Sequence, residues 1–257
     1  MSIDPRAAVS PAAQIAQGVE IGPFAVIGPD VVIGAGCRIG PHAVVQGPTV
    51  IGEGNQIFQF ASIGDAPQDM KYGGEPTRLV IGARNVFREY VTVNRGTVTG
   101  AGETRIGNDN LILAYSHVAH DCVLGDHIIM SNAVNLAGHV EVGDWAIFSG
   151  YAGAHQFCRI GAHAFIANNT AVLQDIPPYV LAAGQPAEPR AVNIEGLKRR
   201  GFTEEQVRAI RNAFRVLYRS DLKLEEATAQ LQKMAAEHQV LDIFASFLAA
   251  SRRGLAR

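Results

Sequence analysis

The chain has 257 residues, of which 47% are hydrophobic and 18% charged, the composition of a soluble globular protein. No stretch approaches the roughly 18 uninterrupted apolar residues of a membrane span, and the N-terminal MSIDPRAAVSP has no apolar signal core. We therefore expect a cytoplasmic protein without a membrane span.

Charge is unevenly distributed along the chain. Residues 190–257 contain 13 Lys or Arg and 8 Asp or Glu, whereas residues 1–189 contain 9 and 16. A basic end on an acidic body indicates an acidic partner or bound phosphates, or else a solvated basic helix face.

A six-residue repeat occupies most of the chain. An Ile or Val stands at every sixth position from Ile3 to Ile63, and the repeat resumes at Ile81 and again from Ile106 to Val172. Glycine often follows the repeated residue, and a small residue often stands four positions after it. This period is neither the 3.6 of an α-helix nor the 2 of a simple strand.

Six residues suit a short strand and a corner, and they are too few for a crossover helix. Three such units would form one triangular coil with the branched residues inside. Coils stacked at about 4.8 Å would give roughly ten coils and a prism about 45–50 Å long, whose end needs a cap.

The repeat resembles that of the hexapeptide-repeat acyltransferases, which fold as a left-handed parallel β-helix. The resemblance alone implies the handedness, because parallel crossovers are generally right-handed. Metal-dependent hydratases and structural solenoids share the repeat, so it indicates the fold more strongly than the reaction.

The three cysteines, Cys37, Cys122 and Cys158, each stand four positions after an inward residue. That position favours a small packed side chain. We therefore expect buried thiols and no disulfide framework.

Two loops interrupt the repeat, near residues 65–79 and 94–105. Because Ile63 and Ile81 are 18 residues apart, we expect the first loop to occupy one coil, after which the register returns. The second interruption, from Val93 to Ile106, leaves the repeat one residue out of phase. Loops on a rigid scaffold often carry function.

The repeat ends in the proline-containing stretch 174–193, after which the pattern becomes helical. Thr203 and Gln206 form a capping-box signature, and apolar residues follow at helical spacing. A second helix is predicted over about 224–237, and a third, containing Phe244 and Phe247, ends near Ser251. We thus predict a β-helix over 1–189 and an α-helical domain over 190–257.

Adding 18 residues repeatedly aligns the polar residues of neighbouring coils. His120 aligns with Gly138 and Gln156, and Asp121 aligns with His139. A stripe of polar side chains results, made up of His117, His120, Asp121, His139, His155 and Gln156. The stripe is either surface polarity, a metal site or a site of general-base catalysis.

In the catalytic interpretation, the neutral imidazole of His120 accepts a proton from an attacking hydroxyl or amine. Asp121 orients the ring, and the Gly138 N–H holds the oxyanion. We find no signature of a covalent nucleophile, because Cys122 stands at the small packing position.

The motifs HVAHDC, LAGHVEVGDWAI, HQFCRIGAH, QDMKYGGEPTRLVIG, NRGTV and VNIEGLKRRGF resemble those of the UDP-N-acetylglucosamine O-acyltransferases. The resemblance runs from the first repeats to the terminal RGLAR. It implies transfer of an (R)-3-hydroxyacyl chain from acyl carrier protein to the sugar 3-position, the first step of lipid A biosynthesis. It also implies a homotrimer with active sites between subunits, and no metal, cofactor or nucleic-acid partner.

The same resemblance assigns roles to residues. His120 is the base, Asp121 its orienting partner and Gly138 the oxyanion donor. The substrate-binding residues it implies are Asp69, Lys71, His117, His139, His155, Gln156, Asn193, Glu195, Arg199 and Arg200. Guanidinium–phosphate pairing fits the two arginines.

Two positions depart from the family pattern. Asn94 replaces a histidine that is frequent in the family, which leaves open a 3-amino sugar as acceptor and an amide product. Asn168 stands near the family's acyl-length determinant, where some relatives have glycine, and favours a chain of about ten carbons rather than about fourteen.

Three other functions compete with this assignment. A carbonic anhydrase on the same scaffold would contain a metal, and a binding module would not depend on His120. The N-acyltransferase of the later lipid A step has a large extra N-terminal domain, whereas the repeats here begin at Ile3.

Overall fold

Short parallel strands fold the repeat region into a triangular prism. The structure, a computed structural model, describes residues 2–251 and 253–257. Strands 18 residues apart pair in register, as Ile129 does with Ile147, so that three sheets form the faces. We call them faces A, B and C in the order in which the chain visits them.

In the part of the chain that the structure describes, face A has eleven strands, the last of which is antiparallel to its neighbour. They are Ser2–Ile3, Glu20–Ile21, Arg38–Ile39, Gln56–Ile57, Val86–Phe87, Leu111–Ile112, Ile129–Met130, Ile147–Phe148, Phe165–Ile166, Val180–Ala183 and Glu188–Val192.

Face B contains the strands Ala8–Val9, Val26–Ile27, Val44–Val45, Ser62–Asp65, Thr92–Asn94, His117–Val118, Asn135–Leu136, Gly153–Ala154 and Ala171–Val172. Face C contains the strands Gln14–Ile15, Val31–Ile33, Thr49–Ile51, Arg78–Ile81, Glu103–Ile106, Val123–Leu124, Glu141–Val142 and Arg159–Ile160.

The repeated branched residues fill the prism. From Ile21 to Val172 every one of them is buried, whereas Ile3 is 37% exposed because the first coil has a neighbour on one side only. Full burial of one such side chain contributes about 1.5–3 kcal/mol. The predicted left-handed parallel β-helix with a C-terminal helical region is confirmed.

Cys37, Cys122 and Cys158 are free and fully buried, as expected of small packing residues. Burial raises the pKa of Cys122 to about 12 and that of Cys158 to about 11. These thiols therefore stay protonated at neutral pH, and Cys122 does not act as a nucleophile.

Both predicted loops leave the prism at the edge between faces B and C. Ile63 lies on face B, whereas Ile81 lies on face C, where it pairs with Ile51 of the preceding coil. The first loop is therefore an insertion at one corner, and the expectation that it occupies a whole coil was wrong. A loop of twelve extra residues preserves the six-residue count, so spacing alone does not distinguish the two arrangements.

The described residues of the C-terminal region form four α-helices, α1 (Ile194–Arg199), α2 (Glu204–Tyr218), α3 (Leu224–Glu237) and α4 (Asp242–Ala250), with a 3₁₀ turn at Gln239–Leu241. The capping box of Thr203 and Gln206 is formed at the start of α2. α1 was not predicted, since six residues are too few for a helical periodicity. The strand Glu188–Val192 crosses the predicted boundary between the two domains, which lies between residues 189 and 190. The division into these two domains stays a prediction.

The helical region packs on the end of the prism. The Tyr179 hydroxyl donates to the Val240 carbonyl at 2.7 Å, and the Ser251 hydroxyl donates to buried Asp175 at 2.7 Å. Among the described residues, no helix combines the length and apolar character that a membrane crossing requires.

Candidate active site

The histidine stripe lies on the edge between faces B and C, from which both loops emerge. The strand His117–Val118 lies on face B, and residues 119–122 then turn the chain onto face C. Asp121 and His139 have φ near +60°, as do the corner residues of many coils. This left-handed backbone turns the chain at the corner and aligns the two side chains in adjacent coils.

His120 and Asp121 form a hydrogen-bonded pair. Nδ1 of His120 lies 2.8 Å from Oδ2 of Asp121, and the Asp121 side chain is only 2% exposed. A carboxylate only accepts hydrogen bonds, so Nδ1 carries the proton. The lone pair is then on Nε2, where it is available for a proton from a substrate.

The second loop holds the Asp121 carboxylate in place. The Thr97 N–H lies 3.1 Å from each carboxylate oxygen, and the Thr97 hydroxyl donates to Oδ2 at 2.6 Å. The backbone N–H of Asp121 donates to Oγ1 of Thr104 at 2.8 Å. These bonds fix the orientation of the carboxylate and therefore that of the imidazole it accepts from.

His139 completes a compact cluster with the pair. Its Nε2 is 3.8 Å from Oδ2 of Asp121, and its ring stacks on Phe157 at a centroid distance of 4.3 Å. Burial lowers the pKa of His139, an effect that the charge of Asp121 partly opposes. His139 is therefore neutral at neutral pH.

One potential ligand atom from each of His120, Asp121 and His139 lies within 4.8 Å of the others, a spacing that a metal ion can bridge. However, Oδ2 of Asp121 already accepts from Thr97 and from His120. A carboxylate with these donors fits the orienting role better than that of a metal ligand.

Gly138 lies directly against the imidazole of His120. A Cβ on Gly138 would be 2.5 Å from Cε1 and 2.8 Å from Nε2 of that ring. Within residues 2–251 and 253–257, the Gly138 N–H makes no hydrogen bond, while its carbonyl accepts from Phe157 N–H at 3.1 Å. A free backbone donor thus lies next to the His120 imidazole.

His117 and His155 line a groove of about 530 Å³ on face B, with Tyr151 and Leu173 among the other lining residues. Nδ1 of His117 lies 2.7 Å from Oγ1 of Thr92. Burial lowers the pKa of His117, and so does His120. The groove begins at His117 and has a largely apolar lining.

Gln156 lies beside His155, whose Nδ1 is 3.3 Å from the Gln156 carbonyl oxygen. On the first loop Asp69 is half-buried and Lys71 is exposed, and Oδ1 of Asp69 accepts from the Lys71 N–H at 2.9 Å. Asp69 is close enough to His139 for its charge to raise the pKa of that ring slightly. The first loop therefore reaches the histidine cluster.

Four predicted residues lie elsewhere in the chain, at the edge between faces C and A: Asn193, Glu195, Arg199 and Arg200. Asn193 caps α1 and donates to the His163 carbonyl at 3.0 Å, and Arg200 donates to the Trp145 carbonyl at 2.9 Å. Face C separates this edge from His120. A single chain thus does not bring the two groups of predicted residues together.

Asn168 is exposed at the edge between faces A and B. It lies three coils beyond Ala114, which occupies the same corner position in the coil of His117. Oδ1 of Asn168 would be 3.3 Å from a Cβ on Gly150. Neither Asn168 nor the residues of α1 contact the cluster around His120.

Sequence reasoning missed two contributors to the cluster. Thr97 holds Asp121, and Gly100 is so close that a Cβ there would be 2.3 Å from Oδ1 of that carboxylate. Both lie in the second loop, where the repeat is broken and coil alignment predicts no neighbours. The only available signal was the NRGTV motif itself.

Two family models match parts of the chain. The model described as Udp N-acetylglucosamine O-acyltransferase, Domain 2, matches residues 175–256, and the bacterial transferase hexapeptide model matches residues 12–47.

Full-length relatives carry a consistent name. The acyl-[acyl-carrier-protein]–UDP-N-acetylglucosamine O-acyltransferase of Pseudomonas putida is 54% identical over 256 residues, covering 100% of this chain and 99% of the relative. The protein of the same name from Thiobacillus denitrificans is 57% identical with the same coverage.

A solved structure agrees with the fold. The Francisella novicida UDP-N-acetylglucosamine acyltransferase has a TM-score of 0.98 and 44% identity, covering 99% of this chain and 94% of that one.

Proposed function

The chain belongs to the UDP-N-acetylglucosamine O-acyltransferase family, and from this premise we propose that it acylates the 3-hydroxyl of UDP-N-acetylglucosamine. The donor is an (R)-3-hydroxyacyl chain on acyl carrier protein, and the reaction is the first step of lipid A biosynthesis, in the cytoplasm. The observation that carries the proposal is the hydrogen bond from His120 to buried Asp121 beside the free N–H of Gly138.

The reaction follows from this geometry. Nε2 of His120 accepts the proton of the sugar hydroxyl as its oxygen attacks the thioester carbon. The Gly138 N–H stabilises the negative oxygen of the tetrahedral intermediate. When the C–S bond breaks, the imidazolium returns the proton to the leaving thiolate, and the products are an ester and a thiol. A positioned base of this kind contributes about 10²–10⁴ in rate.

The surrounding residues bind substrate in this proposal. Neutral His117 and His139 offer hydrogen bonds without a competing positive charge next to the base. Asp69 and Lys71 on the first loop contact the sugar or the carrier arm, while the acyl chain lies in the groove on face B beyond His155. Gln156 lies on the side of the proposed site that receives the nucleotide.

We propose a homotrimer because a single chain leaves the site incomplete. Packing of face B of one subunit against face A of the next, around a three-fold axis, brings the B–C edge of one beside the C–A edge of its neighbour. His120 then faces Arg199 and Arg200 of another copy, which bind the phosphates, with Asn193 and Glu195 near the nucleotide.

Two surface features support this packing. The outer side of face A carries an apolar stripe on five successive coils: Val86, Leu111, Ile129, Ile147 and Phe165. The A–B edge carries a ladder of stacked rings with centroids 4.9–5.2 Å apart: Phe24, His42, Phe60, Tyr90 and Tyr115. In this trimer the stripe covers the groove on face B, and the largely exposed ladder faces the axis.

The basic C-terminal region has a partner in the acidic carrier protein. Arg208, Arg211 and Arg215 stand at helical spacing on α2 and line a groove of about 850 Å³ that also includes Asn193 and Glu195. A carrier protein bound at these arginines would lie near the edge that completes the neighbouring site.

The test is an acylation assay of the purified full chain. The acceptors are UDP-N-acetylglucosamine and its 3-amino analogue, and the donors are 3-hydroxyacyl carrier thioesters of several lengths. The proposal expects ester product from the first acceptor. Amide product with the analogue alone, or no product with either, would contradict it.

A further inference from the structure

Four residues at the start of the second loop, Asn94 to Thr97, lie between the first loop and catalytic Asp121. We call them the 94–97 segment. In the proposed site the first loop binds the sugar, and Asp121 orients the base His120. The contacts of the 94–97 segment connect the first loop to Asp121.

The beginning of the segment is bonded to the first loop. The Arg95 guanidinium donates through Nη1 to the carbonyls of Gly47 at 3.0 Å and Gly64 at 2.7 Å, and through Nη2 to the Tyr72 hydroxyl at 3.2 Å. Nδ2 of Asn94 donates to the Ala66 carbonyl at 2.9 Å. Arg95 thereby fixes Tyr72, which adjoins Lys71, to the prism.

The end of the segment is bonded to the catalytic pair. The Gly96 N–H donates to the carbonyl of Arg78, where the first loop rejoins face C, at 3.2 Å. Thr97 donates three hydrogen bonds to Asp121. A shift of the first loop thus reaches the carboxylate through four consecutive residues.

Two buried polar atoms of the segment are unsatisfied by the protein. Within the described part of the chain, Oδ1 of Asn94 and Nε of Arg95 make no hydrogen bond. An unsatisfied buried group destabilises the arrangement it belongs to. A ligand or water that satisfies them favours the conformation in which the segment holds both partners.

We propose that the 94–97 segment couples the placement of the sugar-binding loop to the orientation of Asp121, with Arg95 and Thr97 as positioning residues. The inference rests on the proposed function. It goes beyond that function because it assigns a kinetic role to Arg95, which does not contact His120 or Asp121.

The experiment compares Arg95→Lys with the wild-type chain in steady-state acylation over a range of pH. Lysine keeps the charge but loses the planar fork that bonds Gly47, Gly64 and Tyr72 together. We expect KM for UDP-N-acetylglucosamine to rise about fivefold or more and kcat to fall about tenfold or more, because small displacements of catalytic groups are costly. The pH profile of kcat should shift as well. Arg6→Lys, on the first coil, is the control with unchanged kinetics.

Two further variants separate the ends of the segment. Tyr72→Phe removes one hydroxyl and should raise KM with kcat nearly unchanged, whereas Thr97→Val should lower kcat and change its pH profile. Their effects on kcat/KM should not multiply in the double variant.

The coupling is overturned if the wild-type chain is active, Arg95→Lys changes only KM, and the effects of Tyr72→Phe and Thr97→Val multiply in the double variant. That result leaves the proposed function intact. If Arg95→Lys lowers the melting temperature, the double-variant cycle decides. An inactive wild-type chain instead contradicts the function.

Discussion

The position of the Gly138 Cα against the His120 imidazole leaves no space for a side chain, because an added Cβ would be 2.5 Å from Cε1. We predict that Gly138→Ala lowers kcat by about 10²-fold, since the ring must move away from its productive position. The fold should tolerate the change, because Gly138 has no positive φ and the ring is at the surface of the prism. Acylation rates and melting temperatures measured together check this; full activity would show that the ring is not held against Gly138 during catalysis.

The trimer proposal predicts complementation between two inactive variants. His120→Ala removes the proposed base on one edge, and Arg200→Ala removes a proposed phosphate contact on the other. Co-assembled at equal amounts, they should restore about a quarter of the wild-type sites, because each site combines edges from two subunits. Activity is measured after refolding the mixture, with each variant refolded alone as the control. No recovery in mixtures that do form trimers would mean that one subunit supplies both edges.

The position of Asn168 predicts an effect on acyl length. It lies three coils from the coil of His117, about 14 Å along the prism at the strand spacing, close to the length of a ten-carbon chain. Asn168→Gly should shift the preferred donor from about ten carbons toward about fourteen. Competition between donors of different length measures the shift. A wild-type preference for fourteen carbons would remove Asn168 as the determinant.

The environment of His163 predicts a pH dependence of stability. Burial and the charge of Arg200 lower its pKa to about 4, and its Nδ1 lies 3.3 Å from Nη1 of Arg200. Between pH 4 and about 6.5 the unfolded chain binds a proton that the folded chain does not, so stability is complete above this window and falls as the pH decreases through it. His163→Gln should reduce the loss. Thermal unfolding from pH 7 to pH 4.5 checks this, and equal slopes for both proteins would contradict it.

The repeat made most of the fold predictable, because each coil obeys the same rule. An Ile or Val at every sixth position, with a small residue such as Cys122 at the corner, is sufficient to assign inward and corner residues. The same arithmetic correctly aligned Gly138 with His120 and His139 with Asp121, since these coils contain no insertion.

Prediction from sequence failed where the repeat does not apply. The placement of the first loop at a corner depends on which face Ile81 joins, and the residue count is equal for both arrangements. The bonds from Thr97 to Asp121 depend on how the second loop folds back, which no periodicity specifies. The location of Arg200 on another edge follows from the packing of α1 on the last coils, a tertiary contact.

In the proposed mechanism His120 is the base of an acyl transfer and Asp121 orients it. The most direct measurement is the single-turnover rate of acyl transfer from hydroxyacyl carrier protein to UDP-N-acetylglucosamine for wild type, His120→Ala and Asp121→Asn. We predict losses of about 10²–10⁴ for both variants, with KM for the sugar and the melting temperature little changed. Undiminished turnover by His120→Ala would contradict this mechanism.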